Sequence, residues 1–144
     1  MITISKIQHE EEIDVLRGKI SFDYTYDKET IDSLKKHFKL PDSLYLFAKD
    51  GDEFVAFCSI DRDWWEDGFF FIREILVDTD FQKLGIGKNL IKKCIEHARN
   101  KKAVGVVTET AFKNIPMQTL CEKLNFKKWD NPQWKEGITY RLVF

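Results

Sequence analysis

The sequence lacks several things, and each absence removes a class of function. No apolar run approaches the roughly 18 residues that cross a bilayer. The opening Met1-Ile2-Thr3-Ile4-Ser5-Lys6 has no basic stretch followed by an apolar one, so no secretory signal is visible. There are three cysteines, Cys58, Cys94 and Cys121, with no C-x-x-C and only three scattered histidines. That pattern points to reduced thiols in a cytoplasm-like compartment and to no metal site. Charge of one sign is not in excess either: 23 Lys+Arg stand against 24 Asp+Glu. A general binder of nucleic acid or anionic membrane needs a basic surplus and is excluded. No internal repeat, low-complexity tract or Pro/Gly/Ser linker divides the chain, so 1–144 reads as one domain, long enough to bury about two-thirds of its unfolded surface.

What the chain does have is aromatic side chains: 12 Phe, 4 Tyr and 4 Trp. Many fall in segments that read as strands. Ile2 and Ile4 alternate with Thr3 and Ser5 as a short first strand. Leu44–Lys49 and Phe54–Asp61 flank Asp50-Gly51-Asp52-Glu53, a hairpin signal. Phe69–Val77 is almost wholly apolar, as at the centre of a sheet covered on both faces. Val104–Glu109, Phe126–Trp129 and Ile138–Phe144 complete the strands. Helices are expected over 9–18, 28–39, Gly85–Lys101 and Asn114–Leu124, the last opened by Asn114 as a cap with Pro116 in its first turn. The resulting order predicts an α/β fold with a mixed sheet and helices on both faces.

Chemistry concentrates where the apolar strand meets the long helix, Glu74-Ile75-Leu76-Val77-Asp78-Thr79-Asp80-Phe81-Gln82-Lys83-Leu84-Gly85-Ile86-Gly87-Lys88. A helix N-terminus offers unpaired N–H groups and a partial positive charge, and glycines let an anion approach that backbone. Lys83 and Lys88 add charge. No G-K-[ST] is present for a P-loop, and no third glycine for a dinucleotide fold.

Gln82-Lys83-Leu84-Gly85-Ile86-Gly87 resembles the Q/R-x-x-G-x-G/A motif of the GNAT superfamily of acyl-CoA-dependent N-acyltransferases. It follows a strand ending Leu76-Val77-Asp78, as in many members. A second signature is present from Asn114 to Glu122-Lys123-Leu124-Asn125-Phe126. The resemblance covers essentially the whole chain. It implies the GNAT fold, about seven strands with helices on both faces, and acetyl-CoA as cofactor. It implies that Gln82, Lys83, Leu84, Gly85, Ile86, Gly87 and Lys88 grip the pyrophosphate, that the backbone of Ile75, Leu76 and Val77 pairs with the pantetheine arm, and that Asn114 touches it. Two positions depart from the pattern. The family tyrosine that serves the departing thiolate falls at Cys121, which reads either as an acid or as a small buried side chain. Asn125 replaces the usual glycine, and Asn tolerates a left-handed helix end.

An aliphatic amine, with a pKa of about 10, arrives protonated and needs a base. Glu109, ending the strand before the Asn114 helix, and Glu74, in the apolar strand, are the candidates, with an Arg73 or Lys83 ion pair as the alternative for Glu74. The turn Asp61-Arg62-Asp63-Trp64-Trp65-Glu66-Asp67 sets acids beside rings, which suits a cation, though it also suits a solvated turn. With Phe22, Tyr24 and Tyr26, Trp64 and Trp65 are candidate walls of the acceptor site. The expected activity is therefore acetyl transfer to a primary amine by direct attack, first of all on a small cationic metabolite or antibiotic-like amine. A protein N-terminus or lysine is the alternative acceptor, and a non-catalytic acyl-CoA sensor the alternative class. A homodimer is compatible with the family.

Overall fold

The computed structural model describes residues 1–17 and 26–144. Its seven strands are β1 (Ile2–Lys6), β2 (Leu44–Asp50), β3 (Glu53–Asp61), β4 (Phe69–Val77), β5 (Gly105–Thr110), β6 (Lys127–Trp129) and β7 (Ile138–Val143). Three helices join them: α1 (Lys28–Phe38), α2 (Ile86–Asn100) and α3 (Ile115–Lys123). The strands form one sheet in the order β1-β2-β3-β4-β5-β7-β6, so the largely apolar strand β4 is the central one. Only β4 and β5 run parallel, because α2 carries the chain back over the sheet between them. The other pairs are antiparallel.

Local chemistry explains the turns. Gly51 takes a φ of 60° in the β2–β3 hairpin, where Asp50 and Glu53 pair directly. Asn125 takes a φ of 70° just after α3, the left-handed role expected of it. Asp27 caps α1 by accepting from the Thr30 N–H at 2.8 Å. The helix expected over 9–18 is instead a 3-10 turn over Glu10–Leu16. Its two buried residues, Ile13 and Leu16, are three apart, which suits three residues per turn.

Two cores lie on opposite faces of the sheet. One is built by Leu90, Ile91, Cys94 and Ala98 of α2 and Met117 and Cys121 of α3 against Cys58, Ile60, Phe70, Ile72 and Val106. The other packs Ile31 and Leu34 of α1 and Ile13 and Leu16 against Tyr45, Phe47 and Phe57. Helix α1 thus covers β2 and β3. Further along the same face, rings do the covering. Trp64 stacks on Phe71 with centroids 5.1 Å apart, Trp65 lies 5.7 Å from Trp64, and Trp129 lies 5.8 Å from Trp65. The Arg141 guanidinium sits 4.4 Å above Trp129 and 4.6 Å above Phe69. Val107, register neighbour of both Phe71 and Arg141, is fully buried.

Strand β4 carries a bulge. Ser59 pairs with Glu74 and Ile60 with Ile72, so Arg73 is the extra residue. The bulge resets the alternation. Phe70 and Ile72, then Ile75 and Val77, face α2, whereas Leu76 packs on the α1 side. Arg73 reaches over the Phe71 ring, and Glu74 meets Tyr26, so these two consecutive side chains share one face.

Leu90, wholly buried where α2 crosses the sheet, measures this packing. Leu90→Ala is expected to cost about 3 kcal/mol in urea unfolding, with an unchanged m-value.

Candidate active site

The parallel pairing of β4 with β5 stops at Ile72 and Thr108. Beyond it, β5 continues on β7 through Glu109 and Thr110, while β4 continues on β3 through Val77. The two strands part like a fork. The cleft between them, about 810 Å³, is lined by Ile72–Val77, by Thr108–Ala111, by the start of α2 and by α3. At its floor the Thr108 hydroxyl donates to the Ile72 carbonyl at 3.3 Å.

One wall is the free edge of β4. Ile75, Leu76 and Val77 pair with Cys58, Phe57 and Ala56 on one side, and among the described residues no strand takes the other. Unpaired main-chain groups there can bond an extended amide-bearing chain as a further strand would.

The far end is the N-terminus of α2. Gln82 donates from its side chain to the Val77 carbonyl at 3.1 Å, which ties the loop to the strand end. Gly85 caps the helix with a φ of 82°, and nothing lies within 4 Å of where its Cβ would be. The first-turn N–H groups of Ile86, Gly87 and Lys88 are free of intrahelical partners by helix geometry. Gln82, Lys83, Gly85, Ile86, Gly87 and Lys88 all line the cleft; Leu84 is exposed and does not. This basic, glycine-lined helix start fits a pyrophosphate, and the free edge beside it fits an amide arm. Asn114 caps α3, its side chain accepting from the Met117 N–H at 3.2 Å, and it also lines the cleft.

At the fork stand the two carboxylates. Tyr26 donates its hydroxyl to Glu74 at 3.3 Å. Asn131, itself buried, lies 3.5 Å from Glu109 and donates to the Thr139 hydroxyl at 3.2 Å. Burial pushes both carboxyls above the ordinary glutamate range. The Tyr26 hydrogen bond and the nearby Arg73 charge oppose this at Glu74, and Arg73 opposes it at Glu109. Arg73 forms its ion pairs with Asp61 at 2.8 Å and, more loosely, with Asp63 at 3.7 Å, not with Glu74, and Lys83 has no ion pair among the described residues. The alternative pairing for Glu74 is therefore not the one the structure adopts.

Four candidates stand apart from the cleft. Cys121 has no exposed surface, packs on the core side of α3 and does not line the cavity; burial pushes its thiol up to about 12. It is thus a core side chain, placed inward because it lies one helical turn after the buried Met117. Trp64 and Trp65 belong to the ring row over Phe71 rather than to the cleft lining. Tyr26 is buried in the α1-side core and reaches the site through its hydroxyl alone. Phe22 and Tyr24 lie outside the described residues. Arg73, Thr108, Thr110 and Leu120 line the cleft without having been singled out from the sequence. The available signal was the charged pair Arg73-Glu74 interrupting an apolar strand, whereas the bulge itself shows in the register.

The model of the Acetyltransferase (GNAT) family matches residues 9–126, and the chain belongs to that family. No curated protein matches the sequence. Solved structures with the same fold include the ribosomal-protein-S18-alanine N-acetyltransferase of Escherichia coli, at TM-score 0.77 and 18% identity over 99% of this chain and 94% of that one. A GNAT acetyltransferase from Staphylococcus aureus matches at TM-score 0.77 and 16% identity, over 99% of each chain. A Bacillus anthracis protein, whose suggested activity is streptothricin acetylation, was solved with acetyl coenzyme A and matches at TM-score 0.76 and 16% identity, over 100% of this chain and 98% of that one. The chain is an acetyltransferase, and acetyl-CoA is the donor that goes with this membership.

Gly85 offers a direct test of the helix-start assignment. Gly85→Ala forces a left-handed alanine, a strain of about 1–2 kcal/mol, and places a methyl group where an anion would sit. Calorimetric titration with CoA is expected to show at least tenfold weaker binding, with the fold intact by circular dichroism.

Proposed function

We propose that this acetyltransferase moves the acetyl group of acetyl-CoA to the primary amine of a small cationic acceptor, by direct attack and without an acyl-enzyme. One observation carries this reading. Glu74 and Glu109 face the fork with no ion-pair partner among the described residues, while the cation beside them, Arg73, is committed to Asp61. The acceptor end of the cleft therefore holds uncompensated negative charge and attracts an ammonium group.

In this reading the N–H groups of the first turn of α2, with Lys83 and Lys88, hold the pyrophosphate, and the free edge of Ile75–Val77 and Asn114 hold the pantetheine arm. Bound acetyl-CoA supplies the thioester carbonyl as electrophile and its thiolate as leaving group. Glu109 accepts the proton of the incoming ammonium, which frees the nitrogen lone pair. Burial keeps this carboxyl more basic than a surface glutamate, closer to the amine whose proton it takes. Glu74, held by Tyr26, faces the same ammonium as its second anion. The nitrogen–carbon bond forms, the carbon–sulfur bond breaks, and the thiolate leaves, the second nitrogen proton passing through solvent to the departing sulfur and the first returning from Glu109 to solvent. A thiol pKa of about 8.5 makes that departure feasible without a dedicated acid, which suits a family tyrosine position filled by the buried Cys121.

Thiol release from acetyl-CoA over a panel of amines, diamines, aminoglycoside-type compounds and short peptides tests this. Turnover of small cationic amines above peptides is expected. CoA binding with no turnover across the panel would make the chain a sensor, and a preference for peptides would move the acceptor to protein. Glu109→Gln should lower kcat by about 10²–10⁴ while leaving CoA binding unchanged. With the wild type, kcat/KM should fall as pH drops through a limb lying above the ordinary glutamate value, because the base must be unprotonated. Cys121→Ala should keep kcat within about threefold and show its cost instead as about 1–2 kcal/mol in unfolding, as expected for a small buried side chain.

A further inference from the structure

Arg73 lies at the fork beside two carboxylates yet bonds to neither. Its Nε and Nη2 donate to the two oxygens of Asp61 at 2.8 and 3.0 Å, and Nη2 also reaches the Asp63 carbonyl at 3.3 Å. Asp61 has no exposed surface, and its Oδ1 further accepts the Asp63 N–H at 2.9 Å. The carboxylate of Asp63 pairs with His37 of α1 at 2.7 Å and lies 3.7 Å from Arg73 Nη2. A flexible guanidinium next to two glutamates would ordinarily fold onto one of them. A buried, two-pronged partner holds it back, since breaking such a pair strands a charge without water.

The bulge makes this arrangement possible. Regular alternation would send Arg73 and Glu74 to opposite faces. The extra residue brings both to the face on which Glu109 stands, one position past the last β4–β5 pair.

We propose that Arg73 is a positioning residue for acetyl transfer: tethered by Asp61, its guanidinium keeps Glu74 and Glu109 as free carboxylates at the fork and caps neither. The proposal rests on the reading of that fork as the acceptor site. A fixed charge in a partly dry cleft acts strongly over a few ångströms. Burial drives both glutamates toward the protonated form, and at both Arg73 is the cation that opposes it. The other groups facing them are not cations. Tyr26 and Cys58 lie toward Glu74, and Tyr45 of β2 faces Asp61, Arg73 and Glu74. Asn131 and Thr139 stand by Glu109. His37 is taken up by Asp63.

Removing the charge and removing its tether have opposite consequences. In Arg73→Gln burial is unopposed at Glu109 and opposed at Glu74 by the Tyr26 hydrogen bond alone, and the glutamates hold their protons to higher pH. In Asp61→Asn the two-pronged partner is lost, the looser Asp63 contacts at 3.3 and 3.7 Å hold Nη2 alone, and the guanidinium swings toward a glutamate, which makes that carboxylate more acidic and blocks it to an ammonium group.

The test is the pH dependence of kcat/KM for an active amine, with a carbon-13 NMR titration of glutamate carboxyls in the same three proteins. The acidic limb and the two perturbed glutamate titrations should move up by about one unit in Arg73→Gln and down in Asp61→Asn. Arg73→Lys should return the limb part of the way, and Asp61→Asn should raise the amine KM severalfold. If Arg73→Gln and Asp61→Asn lower activity while limb and titrations stay in place, Arg73 is merely structural and the proposal fails. Should Asp61→Asn not fold, the titrations of Arg73→Gln and Arg73→Lys decide alone. The NMR arm needs no turnover: an inactive wild type would overturn the proposed function, while the titrations would still judge Arg73.

Discussion

The parting of β4 from β5 is the constraint on which the rest depends. Two parallel neighbours at the centre of a sheet would normally pair to their ends, because a buried unpaired backbone group costs free energy. Here they separate after Ile72 and Thr108. One extra residue in β4, Arg73, accompanies the separation. From it follow a free strand edge facing a cleft, a helix start at the end of that edge, and two carboxylates at its root. The cores on either side hold this opening in shape, since α2 and α3 press on one face while α1 and the ring row press on the other.

Electrostatics at the fork follow from the same offset. The cleft runs from a basic end, where Lys83, Lys88 and the α2 N-terminus stand, to an acidic end at Glu74 and Glu109. In the proposed reaction a donor carrying phosphates and an acceptor carrying an ammonium group would be drawn to opposite ends of this cavity, their reacting atoms meeting where β4 has left β5. Arg73 stands at the acidic end without cancelling it, because a wholly buried aspartate has first claim on its charge.

Much of this was legible in the residues. The apolar run Phe69–Val77 marked the central strand, Asp50–Glu53 the hairpin, and Gln82–Gly87 the helix start. Asn125 took the left-handed turn that its short polar side chain permits. What stayed hidden depended on phase. Strand periodicity places consecutive residues on opposite faces, so the shared face of Arg73 and Glu74 is invisible until the bulge is seen. Cys121 sits where the family has a tyrosine, but a helical turn from Met117 carries it into the core. The segment 9–18 has helical composition, yet the described residues form a 3-10 turn over Glu10–Leu16 that buries Ile13 and Leu16, a spacing such a turn meets. Asp61 looked like one acid among several in a turn, and its full burial arises from long-range packing.

The tryptophan row has a spectroscopic consequence. Trp64, Trp65 and Trp129 lie with ring centroids under 6 Å apart in sequence along the row, close enough for their electronic transitions to couple. Light absorbed by one is shared with the others. The near-ultraviolet circular dichroism of these three of the chain's four tryptophans thereby reports how the β3–β4 turn lies against β6. The chain thus carries its own optical gauge on one face of the sheet, one strand position from the Arg73 guanidinium that rests over Phe71.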